Sequence, residues 1–322
     1  MSDVTLRPVR SADLPELVDL QRRAYRHDGV PRTTDLEELT DDLLDEHTVP
    51  DADTRLAEID GHVAGYAHTV HLPSELRQER CYVFGDVDPA FRRQGVGTAL
   101  MHWGLTRAEE QLRSSGHDLP KYIRTDRYDY VEGAHALYAR VGMRPVRYME
   151  ELLRPLDDLD EQGEPAGPTQ ARIAPWPADR DEEIRIAKNL AFADHWGSTP
   201  TTPHRWAQMV RGYGSRADLS FIAVDADDRV VGHCLNARHP ADDELLGRRD
   251  GWIENLGTLP DFRGQGIASA LVLHSLRAFA AAGCTHASIE VDSENPTGAA
   301  QLYRRLGFEL QQRSITHEIA LD

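Results

Sequence analysis

The chain has 322 residues, of which 40% are hydrophobic and 28% charged, and its formal net charge is −18. This length suits two domains, and the composition is that of an ordinary soluble globular protein. The negative charge disfavours sequence-independent binding to nucleic acid, whereas a small cationic or neutral substrate remains possible.

The cysteines and the N-terminus restrict the class of protein further. Cys81, Cys234 and Cys284 lie far apart and form no CxxC pair, so neither a metal site nor a disulfide framework is supported. The first residues lack the apolar core of a signal peptide, and no apolar run approaches membrane-spanning length. We therefore expect a cytoplasmic protein without membrane partners. With the charge, this leaves no nucleic-acid partner, and the sequence leaves open whether the chain is a monomer or a homodimer.

The first half begins with a predicted strand at residues 4–9. A helix then starts at Asp13-Leu14-Pro15, because Asp13 is a candidate N-cap, and its apolar face carries Leu14, Leu17, Val18 and Tyr25. Residues 32–46 predict a second, acidic helix. Residues 55–59 and 63–70 predict a β-hairpin that turns at Asp60-Gly61.

Residues 82–100 predict a short strand, a glycine-rich turn and the start of a helix. Residues 91–100 read Phe-Arg-Arg-Gln-Gly-Val-Gly-Thr-Ala-Leu, and residues 262–271 align with them without a gap, 171 positions later, as Phe-Arg-Gly-Gln-Gly-Ile-Ala-Ser-Ala-Leu. Glycines let the backbone approach a phosphate, and the N-terminus of the following helix attracts it. Each turn is therefore a candidate phosphate site, to which Arg263 adds a charge in the second half.

A second pair of segments is also repeated. Residues 130–143 and 295–308 share Gly, Ala, Leu, Tyr, Arg and Gly at six corresponding places. Two motifs in the same order indicate an internal duplication. We predict a first domain at residues 1–154, an acidic linker rich in proline and glycine at residues 155–170, and a second domain at residues 171–322.

The second half repeats the order of the predicted elements. The second copy restarts near residues 171–173, and a helix at 182–192 precedes a hairpin of residues 221–224 and 230–236, in which His233 is expected to be half-exposed. The helix after the glycine turn has Leu273, Leu276 and Ala280 on one face, and a strand at 287–291 and a short helix at 298–306 follow it. This order predicts an α/β fold of α+β type, with a central mixed β-sheet flanked by helices in each domain.

Both motifs resemble those of the GCN5-related N-acetyltransferase (GNAT) family. Residues 92–97 and 263–268 are similar to its acyl-CoA signature, Gln/Arg-x-x-Gly-x-Gly/Ala, and Asn295 with residues 302–308 to its later Asn and Leu-Tyr-x-x-x-Gly-Phe. The resemblance spans nearly the whole chain and implies two tandem GNAT-like domains that use acetyl-CoA. A narrower resemblance, to the tandem mycothiol synthases, implies the cysteinyl amine of a sugar–inositol conjugate as acceptor.

The resemblance assigns the contacts with acetyl-CoA to the two glycine turns and to residues beside the second one. In the first half they are Arg92, Arg93, Gln94, Gly95, Val96, Gly97 and Thr98. In the second half they are Leu256, Gly257, Thr258, Arg263, Gly264, Gln265, Gly266, Ile267, Ala268, Ser269, Asn295 and Tyr303.

Acyl transfer to an amine needs a base for the amine proton, donors for the developing oxyanion and an acid for the leaving thiolate. Glu254, on the strand before the second turn, and Tyr303 match the places where the family often has its base and acid. The backbone N–H groups of residues 256–258 are candidate oxyanion donors. A structural ion pair at Glu254 and simple packing of Tyr303 remain alternatives.

The alignment of the two halves distinguishes them. Glu254 corresponds to Val83 and Asn295 to Tyr130, so the first half lacks this carboxylate and this amide. We expect the second half to be catalytic and the first to bind acyl-CoA weakly or structurally. Asp86 is the alternative carboxylate that would make the first half active.

The acceptor is expected to be a primary amine of a small polar molecule. In the family, the region that follows the first helix of the domain helps to form the acceptor wall, which makes His195 and Trp196 candidates for substrate contact. An aromatic cap over the helix end is an equally good interpretation of these two residues. A protein lysine as acceptor and a non-catalytic acyl-CoA sensor or scaffold are alternative functions.

Overall fold

The computed structural model describes residues 4–44, 48–159, 170–295 and 298–321. The helices of this part of the chain are α1 (Leu14–Asp28), α2 (Leu36–Leu44), α3 (Pro50–Asp53), α4 (Val96–Ser114), α5 (Glu132–Arg140), α6 (Asp181–Ala191), α7 (Pro203–Arg211), α8 (Asp243–Leu246), α9 (Ile267–Ala281) and α10 (Ala299–Arg305). The strands are β1 (Thr5–Arg7), β2 (Thr54–Ile59), β3 (His62–Leu72), β4 (Glu79–Val87), β5 (Lys121–Tyr128), β6 (Arg144–Pro155), β7 (Arg172–Pro175), β8 (Phe221–Val224), β9 (Val230–Arg238), β10 (Asp250–Thr258), β11 (His286–Asp292) and β12 (Glu309–Leu321).

The chain forms two compact units. Unit 1 comprises residues 1–148 and 314–322, and unit 2 comprises residues 149–313. The strand order is β1-β2-β3-β4-β5-β12 in unit 1 and β7-β8-β9-β10-β11-β6 in unit 2. In each order one neighbouring pair is parallel, β4 with β5 and β10 with β11, and the others are antiparallel. The predicted mixed sheet is therefore confirmed.

The compact units differ from the predicted repeats in their last strands. Residues 314–321 of β12 pair with β5 in unit 1, and residues 149–155 of β6 pair with β11 in unit 2. Leu156 and Leu159, inside the predicted linker, are buried in the core of unit 2. Residues 160–169 of that linker lie outside the described residues. The boundaries of the compact units therefore differ from those of the sequence repeats, because the final part of the last strand of each repeat packs in the other unit.

Unit 2 has helices on both faces of its sheet because its strands alternate between two cores. On β8, Ala223 packs into the cluster that contains the buried face of α9, whereas Ile222 and Val224 pack into the cluster of α6 and α7. Unit 1 repeats this arrangement. Leu56 of β2 packs with α1 and α2, and Ala57 packs on the opposite face with α4.

The predictions for two helices need correction. The residues of α9 at 0% exposure are Leu271, Val272, Ser275, Leu276 and Phe279, while Leu273 and Ala280 pack against the same core and are only partly buried. Phe279 turns inward because Gly251 leaves room for it, since a Cβ there would lie 2.2 Å from the Phe279 ring. The second helix begins at Leu36, not at residue 32, and residues 45 and 46 lie outside the described residues.

Helix α7 was not predicted, although its start carries two local signals. Pro203 is its first residue, and the Thr202 hydroxyl accepts a hydrogen bond from the Arg205 N–H at 3.2 Å. Both are typical of a helix N-terminus. In the described part of the chain no helix is long and apolar enough to span a membrane. The three cysteines are buried free thiols.

Candidate active site

The glycine turn of unit 2 joins β10 to α9. Gly264 and Gly266 have φ angles of 73° and 80°, in the left-handed region that favours glycine. A Cβ added at either position would meet no atom within 4 Å. A hydrogen bond from the Ala270 N–H to the Gly266 carbonyl (3.0 Å) begins α9, so the N–H groups of residues 267–269 lie at the helix end. This open turn fits an anionic group such as phosphate.

The side chain of Arg263 forms hydrogen bonds within the protein that connect the turn to neighbouring segments. Its Nη1 and Nη2 donate to the Asp194 carboxylate at 2.5 and 3.0 Å, and Nη2 also donates to the Ala191 carbonyl at 2.8 Å. Its Nε donates to the Thr258 carbonyl at 3.3 Å. These bonds tie the turn to the end of α6. The sequence predicted that Arg263 adds its charge to the phosphate site. A direct contact of this side chain with phosphate would require its ion pair with Asp194 to break.

Other predicted contact residues present their backbone rather than their side chains. Ile267 and its counterpart Val96 in unit 1 are buried in the cores. Gln265 and Gln94 each donate from Nε2 to the carbonyl oxygen four residues earlier, at 3.2 Å. At these four positions the backbone N–H group is therefore the donor that the turn can offer.

Strand β10 leaves β11 just before the turn. The parallel ladder starts where Asp250 is opposite His286 and ends where Ile253 is opposite Ile289. Strand β10 nevertheless stays paired with β9 as far as Thr258. Residues 254–258 thus lie beyond the ladder with β11, where their backbone groups on that side can face a ligand.

Glu254 lies in a β-bulge at the start of this segment. Ile253 is opposite Asn236, but Asn255 is opposite Leu235, so one extra residue is inserted between them. Ile253 packs into the core with α9, whereas Asn255 contacts His233 on the other face. Glu254 is exposed. Bulges bend a strand and redirect its side chains, and they are frequent beside active sites.

His233 supports the bulged strand from the neighbouring strand β9. It is 0% exposed, so the expectation of a half-exposed residue was wrong. Its Nε2 lies 2.7 Å from Asn255 Oδ1, and its ring fits only because residue 257 is glycine, where a Cβ would lie 2.5 Å from His233 Cε1. Burial lowers the pKa of His233 to about 4. The ring is therefore neutral at neutral pH.

Tyr303 on α10 is buried, with its ring edge-on to Phe308 at 5.9 Å between centroids. Within the described residues its hydroxyl makes no hydrogen bond. Burial raises the pKa of this hydroxyl above its ordinary value of 10.0, so it keeps its proton. Asn295 follows β11, and its N–H donates to the Asp292 carbonyl at 3.0 Å.

His195 and Trp196 lie just after α6, next to the ion pair of Arg263 and Asp194. The His195 ring packs against Phe192 at 4.5 Å between centroids, and burial lowers its pKa while Asp194 opposes the decrease. Trp196 is 38% exposed. The contact of His195 fits an aromatic cap, and the exposure of Trp196 leaves it able to contact a substrate.

The glycine turn of unit 1 repeats the backbone of its counterpart. Arg93 and Gly95 have φ angles of 64° and 94° at the positions of the two unit 2 glycines. Arg92 forms a bidentate ion pair with Asp28 at 2.5 and 2.9 Å, and its Nε donates to the Val87 carbonyl at 3.2 Å. A non-glycine residue in the left-handed region is strained, so the turn itself imposes this geometry on Arg93.

The strand before this turn differs from its counterpart in unit 2. Strand β4 pairs with β3 in continuous register, and Val83, at the position of Glu254, is buried. The alternative carboxylate, Asp86, is 7% exposed and accepts hydrogen bonds from Arg127 at 2.6 Å and Gln21 at 3.0 Å. Burial raises the pKa of Asp86, and Arg127 opposes the increase. Asp86 therefore belongs to an internal ion pair.

The tyrosines of the repeated motif also differ between the units. Tyr138 forms a side-chain hydrogen bond with Thr125 and packs against His317 at 5.1 Å between ring centroids. Sequence reasoning did not identify Asn255, His233 and Arg127 as residues of these sites. A signal was available for Arg127, because the corresponding residue of the second repeat, Asp292, has the opposite charge.

Comparison with known proteins identifies the family. A model of the acetyltransferase (GNAT) family matches residues 14–143 and 182–308. The mycothiol acetyltransferase of Actinosynnema mirum is 30% identical over 274 residues, which are 82% of this chain and 82% of that protein. The mycothiol acetyltransferase of Frankia alni is 29% identical over 335 residues, covering 98% of this chain and 94% of that protein.

Solved structures share the fold along the whole chain. A GCN5-related N-acetyltransferase from Sphaerobacter thermophilus matches with a TM-score of 0.74 and 27% identity, covering 98% of this chain and 95% of that one. A tandem GNAT protein from the clavulanic acid biosynthesis pathway matches with a TM-score of 0.70 and 18% identity, covering 99% and 98%. With a family match in each half and relatives that span its length, the chain belongs to the GNAT acetyltransferase family, as an N-acetyltransferase with two tandem domains.

Proposed function

We propose that unit 2 transfers an acetyl group from acetyl-CoA to a primary amine of a small polar molecule. The observation that carries this proposal is the exposed carboxylate of Glu254, at a bulge where β10 leaves β11 and just before an open glycine turn. In unit 1 the corresponding position is a buried valine, and Asp86 is held in an ion pair.

The residues of unit 2 fit acetyl-CoA, which supplies an activated thioester. The N–H groups of residues 264–269 would hold its pyrophosphate, because the absence of side chains at Gly264 and Gly266 leaves the backbone accessible. Residues 256–258, beyond the ladder with β11, would face the acyl end. Asn295, after β11, would add a polar contact.

The side chains of unit 2 supply the acid and the base. Glu254 accepts a proton from the acceptor ammonium, directly or through water, and so generates the neutral amine that attacks the thioester carbonyl. The backbone N–H groups within residues 256–258 that do not pair with β9 donate to the carbonyl oxygen as it gains negative charge. Tyr303 keeps its proton because its pKa is raised, and it donates that proton to the departing sulfur.

The relatives favour a narrower acceptor within this class. The mycothiol acetyltransferase of Actinosynnema mirum shares 30% identity with this chain over 82% of its length, which supports the cysteinyl amine of a sugar–inositol conjugate as acceptor. His195 and Trp196, at the end of α6, would form part of the acceptor wall. Turnover of the desacetyl conjugate tests this version, and failure on it beside success on another amine would eliminate it.

The experiment that tests the general proposal is an acceptor screen that measures CoA release from acetyl-CoA. The panel contains small polar amines, the desacetyl conjugate and lysine peptides. With the best acceptor, Glu254→Gln should lower kcat/KM by roughly 10²–10⁴-fold, as expected for loss of a general base. Asp86→Asn is the matched control and should retain the wild-type rate.

Two outcomes would contradict the proposal. Full activity of Glu254→Gln together with loss in a folded Asp86→Asn would move the chemistry to unit 1. Stabilisation of the chain by acetyl-CoA without CoA release on any amine would indicate an acyl-CoA sensor instead.

A further inference from the structure

In unit 1 an arginine side chain bridges the two strands that separate. The parallel ladder of β4 and β5 starts where Glu79 is opposite Lys121 and ends where Tyr82 is opposite Arg124. If the register continued, the backbone of Arg127 would lie opposite Gly85. Instead, Arg127 Nη2 donates to the Gly85 carbonyl oxygen at 2.6 Å. The guanidinium thus occupies the space between the diverging strands.

This space corresponds to the proposed acyl site of unit 2. Gly85 aligns with Leu256 in the duplication, and Leu256 belongs to the segment proposed to face the acyl group. The register of β10 and β11, if continued, would place Asp292 opposite Leu256. A carboxylate has no hydrogen to donate to a carbonyl oxygen when ionised, so the bridge seen in unit 1 cannot form in unit 2.

A network of half-buried and buried side chains holds Arg127 in this position. The same Nη2 donates to the Asp86 carboxylate at 2.6 Å. Gln21 of α1 donates to Asp86 at 3.0 Å and in turn accepts from the Thr34 hydroxyl at 2.6 Å. Helix α1 therefore fixes the carboxylate, and the carboxylate fixes the guanidinium.

We propose that Arg127 closes unit 1 to the acyl end of acyl-CoA, so that the chain binds one acetyl-CoA, in unit 2, although both units keep the glycine turn. Arg127 is thus a specificity-determining residue that makes the two repeats unequal. The inference rests on the proposed function, because the position of the acyl group in unit 1 is inferred from its proposed position in unit 2.

The test is the stoichiometry of acetyl-CoA binding to the full chain, measured by isothermal titration calorimetry. The variant is Arg127→Ser combined with Asp86→Asn, because removing both charges avoids an unpaired buried carboxylate. The control is Arg113→Ser, which removes an arginine from an exposed pair with Glu109 on α4. The wild type and the control should bind one equivalent. The double variant should bind two equivalents. Its second site should bind acetyl-CoA at least about tenfold more tightly than any second site of the wild type does.

The outcomes separate this inference from the proposed function. A wild type that binds two equivalents with affinities within about twofold overturns the inference without any variant having to fold. A double variant with native circular dichroism that still binds one equivalent also overturns it. If the wild type binds none, the proposed function of unit 2 fails. A gain of one site in the double variant would then still support the role of Arg127, whereas no gain would overturn both.

Discussion

His233 and Asn255 set the position of the proposed base, Glu254, although neither is expected to contact the acceptor. The neutral imidazole has one N–H, and with Nε2 at 2.7 Å from Asn255 Oδ1 this N–H is directed at the amide oxygen. The hydrogen bond joins β9 to the residue that follows Glu254. His233, on the neighbouring strand β9, therefore stabilises the bulge that orients the Glu254 carboxylate.

The burial of His233 predicts a pH dependence of stability. Its pKa is about 4 in the folded chain against the ordinary value of 6.5. Between these values the unfolded chain binds a proton that the folded chain excludes, so stability is complete above pH 6.5 and decreases as the pH falls. At about pH 5 this residue should cost roughly 2 kcal/mol.

Urea unfolding of His233→Gln measures this effect between about pH 5 and pH 7. The stability of the variant should depend less on pH than that of the wild type. His68 in unit 1 is also buried with a pKa of about 4, so His68→Gln should reduce the slope by a similar amount. An unchanged slope in both variants would show that neither histidine is responsible.

Tyr303 and Tyr138 should respond in opposite ways to loss of the hydroxyl. Tyr303→Phe removes the proposed acid without removing a hydrogen bond within the described residues. We expect kcat to fall by about 10²-fold or more, with little change in melting temperature. Because the pKa of Tyr303 is raised above 10.0, the loss should be similar from about pH 6 to pH 9.

The matched variant is Tyr138→Phe, which removes a hydrogen bond with Thr125. It should lower the free energy of unfolding by about 1 kcal/mol and leave the rate unchanged. Steady-state kinetics and urea unfolding of both variants check the pair. Equal loss of rate in the two variants would argue against a special role for Tyr303.

At the scale of elements, the proposed active site depends on the segment formed by β10, the glycine turn and α9. The bulge in β10 and the end of its ladder with β11 lie directly before the turn. The ion pair of Arg263 with Asp194 ties the turn to α6. Strand, turn and helix N-terminus thus carry the proposed base, the proposed oxyanion donors and the proposed phosphate donors along one stretch of backbone.

Two glycines at opposite ends of α9 allow the turn to be tested. Gly266 and Gly283 have φ angles of 80° and 82°, and a Cβ at either would meet nothing within 4 Å. Alanine at each position should cost roughly 1–2 kcal/mol of backbone strain. Only Gly266→Ala places a methyl group in the proposed phosphate site. We therefore expect it to raise the Kd for acetyl-CoA at least about tenfold.

Calorimetric titration and thermal unfolding of the two variants separate strain from binding. Gly283→Ala should show the same decrease in melting temperature with an unchanged Kd. If both variants bind acetyl-CoA equally well, the turn does not hold the phosphates.

At the scale of the whole molecule, the final part of the last strand of each repeat, residues 149–155 and 314–321, belongs to the other compact unit. In unit 1, Glu318 of β12 pairs with Arg124 of β5 at 2.7 Å, and both side chains are buried. Burying a charge is unfavourable unless its partner is present. The final strand therefore supplies the counter-charge that unit 1 requires.

Replacing Glu318 by glutamine tests this contribution. The change leaves the Arg124 guanidinium without its buried carboxylate, so the free energy of unfolding should fall by about 3–5 kcal/mol. Glu109→Gln, which breaks an exposed pair with Arg113, should cost less than about 1 kcal/mol. Urea unfolding of both variants measures the difference. Equally small effects would show that the exchanged strand contributes little to unit 1.

The sequence by itself determined the duplication, the two glycine turns, the hairpins and the family. These features depend on local patterns, because turn residues, strand alternation and helix starts are decided by neighbours within a few positions. The position of Glu254 before the second turn was also visible, since it follows from the gapless alignment of the repeats. The tyrosine motif was visible for the same reason.

Only the tertiary structure decided which partners these residues have. It showed the burial of His233 beneath Gly257, the ion pair of Arg263 with Asp194, the guanidinium of Arg127 at Gly85 and the exchange of the last strands. Each depends on groups brought together from distant parts of the chain, where close packing and the cost of leaving a buried polar group unpaired select the partner. Local patterns carry no information on that choice.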